Sequence, residues 1–135
     1  MLPPALESWM KILHSKNIAD LADLLADDVV FYSPIVHTAQ SGKPTTLLYL
    51  TAASKVFFND TFAYVKQSVS ESDAFFEFTT EIDNIFVNGV DIISWNAEGK
   101  ICEFKVMIRP LKAINLVHQM MGQMLERLSS PDASE

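Results

Sequence analysis

The chain has 135 residues, 49% of them apolar and 20% charged, which is the size and balance of one soluble globular domain with a real core. Ten Lys and Arg against 17 Asp and Glu give a formal charge of −7, and the basic residues are scattered. Phosphate binding needs clustered Lys and Arg, so nucleic acid is excluded as a partner. A single cysteine, Cys102, has no internal partner, which fits a reducing compartment. The start, Met1-Leu2-Pro3-Pro4-Ala5, has neither the basic nor the apolar segment of a signal peptide, and no apolar run has membrane-span length. The expectation is a cytoplasmic protein, with residues 1–128 as one domain and 129–135 as a flexible tail.

The first half reads as helical. Pro3 and Pro4 suit a helix start, and Leu6, Trp9, Met10 and Leu13 follow at helical spacing. Asn17 reads as the N-cap of a second helix with the stripe Ile18, Leu21, Leu24 and Leu25, ended by Asp27-Asp28. Val29 to Tyr32 is β-branched and aromatic, a short strand stopped by Pro34. A loop is predicted from Ile35 to Lys43. Pro44 opens a third helix to about Phe58, with Leu47, Leu50, Ala53 and Phe57 on its buried face.

The period then changes. Phe62 to Glu71 has strand composition, and Ala74 to Ile82 alternates, with Phe76, Phe78 and Thr80 opposite Glu77, Thr79 and Glu81. Asp83-Asn84 is a two-residue hairpin turn leading to a strand from Ile85 to Trp95, in which Asn88-Gly89 predicts a bulge. Asn96 to Gly99 turns again. Lys100 to Arg109 is the last strand, with Cys102, Phe104, Val106 and Ile108 on one face. Pro110 opens a helix striped with Leu111, Ile114, Val117, Met121, Leu125 and Leu128. The whole is an α+β fold: a cone-shaped α+β barrel, its strongly curved antiparallel sheet covered by three N-terminal helices and a C-terminal helix. Such cones commonly hold ligands.

Asp91 is the most informative residue, because it interrupts the apolar run Val90-Asp91-Ile92-Ile93-Ser94-Trp95. A tight hairpin at Asp83-Asn84 sets Asp91 across from Phe76 and Gly89 across from Phe78. In that apolar setting burial raises a carboxyl pKa, which suits either a general acid or a satisfied structural acid.

Two stretches, Asn17-Ile18 with Leu24-Leu25-Ala26-Asp27-Asp28-Val29-Val30-Phe31-Tyr32-Ser33-Pro34, and Asn88 to Ile101, resemble the nuclear transport factor 2-like superfamily. The nearest likeness is to its SnoaL-like and ketosteroid isomerase-like branch. The resemblance spans roughly Leu6 to Leu128. It implies a conical pocket and a dimer across the outer sheet face. Ketosteroid isomerases use a carboxylate base before the proline that ends the first strand, a tyrosine in the first helix, and a protonated acid on a late strand. Here those positions hold Ser33, Trp9 and Asp91, so only the late acid is matched. Serine is too weak a base for a carbon-bound proton, and an indole N–H donates without cycling a proton. Steroid isomerisation is therefore not carried over. The superfamily's epoxide hydrolases have an arginine two residues before the strand aspartate. Gly89 stands there, and Phe104, Val106 and Ile108 supply no second acid.

The candidate acid–base residue is thus Asp91, with Trp9 and Ser33 as candidate hydrogen-bond groups. Trp9 is otherwise core filling and Ser33 otherwise a turn residue. Candidate ligand-lining residues are Phe31, Leu50, Phe76, Phe78, Phe104, Val106 and Ile108. His14, His37 and His118 show no metal-ligand spacing, and neither metal nor cofactor is expected. Cys102 reads as a small inward-facing hydrophobe. Val90, Ile92, Ile101 and Met107 on the outer face need cover, which predicts a homodimer. Three functions follow: a protein that binds a small hydrophobic or carbonyl-containing molecule; an acid–base cyclase, isomerase or dehydratase using Asp91; or a dimeric interaction module with a vestigial pocket.

Overall fold

A computed structural model describes residues 2–129. The predicted tail lies outside the described residues from 130 on. Helix α1 (Pro4–Ser15) starts with proline at its first position and buries Ala5, Leu6, Trp9 and Ile12. Met10 and Leu13 are only partly buried beside that edge. The chain then makes a 3-10 turn at Ile18–Asp20, a single helical turn α2 (Leu21–Leu24), and enters strand β1 (Leu25–Tyr32). Asn17 caps the turn, its Oδ1 accepting the Ala19 amide N–H at 3.3 Å.

Beyond β1 come β2 (Gln40–Ser41), helix α3 (Lys43–Phe57), strands β3 (Ala63–Val69), β4 (Asp73–Ile82), β5 (Ile85–Trp95) and β6 (Ile101–Arg109), and helix α4 (Leu111–Ser129). The six strands form one open sheet in the order β2-β1-β6-β5-β4-β3. The β3-to-β6 meander is antiparallel, as is the β1–β2 pair, and β1 joins the sheet parallel to β6. Among the described residues the core lies between the inner sheet face and the helices, and includes Trp9, Phe31, Leu50, Phe57, Phe76, Phe78, Ile93 and Phe104.

Several sequence expectations are corrected. Strand β1 begins at Leu25, four residues before Val29, because Leu25 pairs with Ile101 and is buried. A register shift between Leu25 and Val30 then turns Asp27 and Asp28 outward. The loop before α3 contains the two-residue strand β2. Helix α4 buries Ala113 and Val117, packs Leu116, Met120, Met121 and Met124 against the core, and leaves Leu111 70% exposed. Its apolar seam is therefore rotated from the predicted stripe.

The hairpin at Asp83-Asn84 has φ of 49° and 65°, the left-handed pair that a tight two-residue turn requires. It fixes the register Phe76↔Asp91 and Phe78↔Gly89, as the alternation predicts. No bulge occurs at Asn88-Gly89, where both ladders run unbroken. The irregularities fall between Tyr64 and Lys66 and between Ser94 and Trp95. At the second, Ser94 pairs with Glu103 and Trp95 with Ile101, leaving Cys102 as the extra residue. This turns Ile101 into the core instead of the outer face, and leaves Cys102 only partly covered.

Gly89 is glycine for space. A Cβ there would lie 2.5 Å from Phe78 Cζ, 2.6 Å from the Met107 carbonyl oxygen and 2.8 Å from Ile108 Cγ2. The Phe78 ring crosses β5 only because this position is bare. An arginine two residues before Asp91 has no room. Gly89→Ala should destabilise the fold by about 1–3 kcal/mol, the usual cost of forced overpacking. Urea unfolding measures this; a variant within experimental error of the native protein would refute the close approach.

Candidate functional site

Asp91 points inward from the middle of β5, between Phe76 on β4 and Val106 on β6, and is 5% exposed. The Tyr64 hydroxyl donates to Asp91 Oδ2 at 2.6 Å. Trp9 Nε1–H donates to the Tyr64 oxygen at 3.0 Å. Three elements distant in sequence, α1, β3 and β5, therefore meet in one directed chain of hydrogen bonds. Tyr64 is held by ring packing: it stacks on Phe76 at 4.8 Å and 24° and meets Phe62 edge-on at 5.3 Å. Trp9 is held edge-on by Phe104 at 5.1 Å.

The electrostatics follow from burial. Desolvation raises the Asp91 pKa from 3.8 to about 7, against the opposing effect of the Tyr64 hydrogen bond, which favours the carboxylate. Burial first, and then the charge of Asp91, push the Tyr64 phenol well above 10. Tyr64 therefore keeps its proton and stays a donor. Because Oδ2 already accepts from Tyr64, the proton of neutral Asp91 belongs on Oδ1, which has no hydrogen-bond partner among the described residues. Among the described residues only Thr46 Oγ1 is both fully enclosed and unpartnered, so Oδ1 keeps some open surface.

Asp91 also lines a chamber of about 30 Å³ with Trp9, Leu50, Phe78, Phe104 and Val106, and Ala53, Phe57, Phe58 and Phe62 complete the wall. It is room for about one water. Four of the predicted lining residues, Leu50, Phe78, Phe104 and Val106, meet there. Three do not. Phe31 packs on Tyr49 and Phe104, Phe76 carries the Tyr64 ring, and Ile108 lies beside Gly89 nearer the outer groove. Ser33 also stands apart. Its Oγ accepts the backbone N–H groups of Ile35 at 3.0 Å and Val36 at 3.3 Å, closing the turn that Pro34 begins. Trp9 reaches Asp91 only through Tyr64.

A larger open cleft of about 480 Å³ adjoins the void, lined by Met10, Leu13, His14, Lys16, Phe58, Asn59, Asp60, Phe62, Ala63, Tyr64 and Gln67. It is larger than the chamber, but the buried acid lines the smaller space. Tyr64 is the site residue that sequence reasoning missed. Its signal was a polar aromatic on the inward face of β3, where Tyr64 pairs with Phe78. Cys102 does not line the chamber, and partial burial raises its thiol pKa, which disfavours the thiolate. Among the described residues no three His, Cys, Asp or Glu side chains gather to hold a metal ion. No described helix is long and apolar enough to cross a membrane.

The family and the fold are shared with known proteins. A SnoaL-like domain model matches residues 6–104. A steroid delta-isomerase from Pseudomonas aeruginosa superposes with a TM-score of 0.87 at 29% identity, covering 93% of each chain. A Silicibacter pomeroyi protein with a cystatin-like fold gives a TM-score of 0.84 at 23% identity, over 96% of this chain and 89% of the other. An NTF2-like protein of unknown function from Cytophaga hutchinsonii gives 0.60 at 14% identity, over 81% and 90%. No curated protein matches the chain. The chain belongs to the SnoaL-like domain family, and it shares its fold with the steroid delta-isomerase and with NTF2-like proteins.

Proposed function

We propose that this protein binds a small apolar, carbonyl-containing molecule, with Asp91 as the polar anchor. The observation that carries this reading is a buried acid, its Oδ1 without a partner among the described residues, in the wall of an otherwise apolar chamber. Below pH 7 that oxygen is a hydroxyl and donates to a ligand carbonyl. Above it the carboxylate has no proton to offer and repels the carbonyl oxygen. Cyclic ketones are the probe class. Their affinity for the native protein should be constant below about pH 6 and fall about tenfold per pH unit above 7, as the protonated fraction falls. Asp91→Asn keeps an N–H donor and should bind without that pH dependence. Calorimetry across pH 5–9 decides; a native affinity indifferent to pH would sink the anchor role.

An acid–base enzyme is the second reading. Two observations favour it: an acid poised near neutrality, and the likeness to a steroid delta-isomerase. Asp91 would take a proton from carbon and return it to another carbon of the same substrate. The obstacle is the missing donor for the substrate oxygen. The Trp9 N–H and the Tyr64 O–H are both spent inside the chain, and Ser33 Oγ serves a turn. For this reason binding stands ahead of turnover. The small size of the chamber, with Trp9 packed on Phe104, is what supports the third reading, an interaction module with a filled cone.

The homodimer belongs to this proposal. Phe75, Phe86 and Met107 are 46%, 55% and 50% exposed on the outer sheet face. Val90 and Ile92 are half-buried there. A second copy would cover this apolar patch. A cytoplasmic site suits the lone Cys102 thiol. Sedimentation equilibrium at micromolar concentration should give twice the mass of one 15.1 kDa chain, and Met107→Lys should shift it toward one. A native monomer would remove the dimer.

A further inference from the structure

If the chamber holds a ligand, as proposed above, the ligand must have a way in. The chamber of about 30 Å³ is far below the roughly 150 Å³ that an apolar cavity needs for benzene. Any ring that touches Asp91 must displace part of the wall. Trp9, Leu50, Phe57, Phe78, Phe104 and Val106 are buried core. Phe62 is stacked on Phe78 at 5.3 Å and 26° and meets Tyr64 edge-on.

Phe58 differs from all of these. It stands at the C-cap of α3, only partly buried where it packs against the core, and meets Trp9 at 6.2 Å and Phe62 at 4.9 Å in edge-on geometry. It is also the residue shared by three spaces. Its side chain walls the chamber, the 480 Å³ cleft and a further cleft of about 290 Å³ beside Ile12, Lys16 and Ser54. A side chain with open space on two sides can swing away from the third. A rotation about its side-chain bonds would join chamber and cleft without moving a backbone element.

We propose that Phe58 is the specificity-determining partition of this site, and that the ligand spans it. The ligand class is an elongated ring-bearing molecule with its carbonyl or hydroxyl at Asp91 and its remainder in the outer cleft. With Phe58 closed, the competent state is a minor one, and apparent affinity is reduced by its population.

The test uses the full chain with Trp95→Phe, so that Trp9 is the remaining indole. Acrylamide quenching of Trp9 should rise several-fold in Phe58→Ala, and also in Phe58→Leu, which keeps more of the packing. Phenol and 2-naphthol, followed by calorimetry, should bind Phe58→Ala about tenfold or more tightly than the Phe58 chain, because the closed state no longer competes. Phe58→Trp should weaken both. Unchanged quenching in both smaller variants overturns the partition, whatever binds. Raised quenching with no binding of either phenol overturns the ligand reading beneath it, so the two failures are told apart.

Discussion

The directed hydrogen-bond chain Trp9 to Tyr64 to Asp91 is the constraint around which the interior is arranged. A carboxyl in an apolar core is costly when ionised. The gap between 3.8 and about 7 corresponds to about 4 kcal/mol in favour of the neutral form. In the unfolded chain Asp91 ionises near 3.8, while in the fold it holds its proton to about 7. The fold thus binds the extra proton between those values. Stability from this residue is complete below about pH 4, declines as pH rises, and is lost above about 7. A leucine at 91 would avoid that cost. Tyr64 offsets part of it by donating to the carboxylate, and Trp9 holds Tyr64 in the donating orientation.

This arrangement makes different demands on each element. Helix α1 presents Trp9 from its buried edge, with the ring wedged against Phe104. Strand β3, at the sheet edge, is held to the interior by the stacking of Tyr64 on Phe76 and by its ladder to β4. Strand β5 is central, and its bare Gly89 lets the Phe78 ring close one side of the chamber. The result is an acid with one oxygen fully committed and one free. The free oxygen gives the pocket its single polar direction, and the surrounding rings set what shape can approach it.

Much of this was legible in the sequence, for reasons that can be named. Asp83-Asn84 is a turn whose length fixes the β4–β5 register, so the neighbours of Asp91 followed by counting. The alternation in β4 assigned Phe76 and Phe78 to the interior without ambiguity. Tyr64 was not legible, because its contact with Asp91 reaches past β4 through the bend of the sheet, and β3 carries an irregularity just after it. Leu24-Leu25 fits a helix stripe and a buried strand equally well; the pairing of Leu25 with Ile101 decides, and that contact is 76 residues away. Ser33 serves the turn, because its Oγ already accepts two backbone N–H groups there. The helix α4 stripe held at Val117 and Met121 and missed Ala113, because several apolar positions fit more than one seam and packing against α3 as well as the sheet chose between them.

The polarity of the whole chamber depends on the protonation state of one side chain. Carbon-13 NMR of the Asp91 carboxyl, assigned by its loss in Asp91→Asn, measures it directly. A titration midpoint near 7 is expected, moving upward in Tyr64→Phe as the opposing hydrogen bond is removed. A midpoint near the ordinary aspartate value, unmoved by Tyr64→Phe, would mean that Asp91 is solvated and that neither the chain nor the chamber governs it.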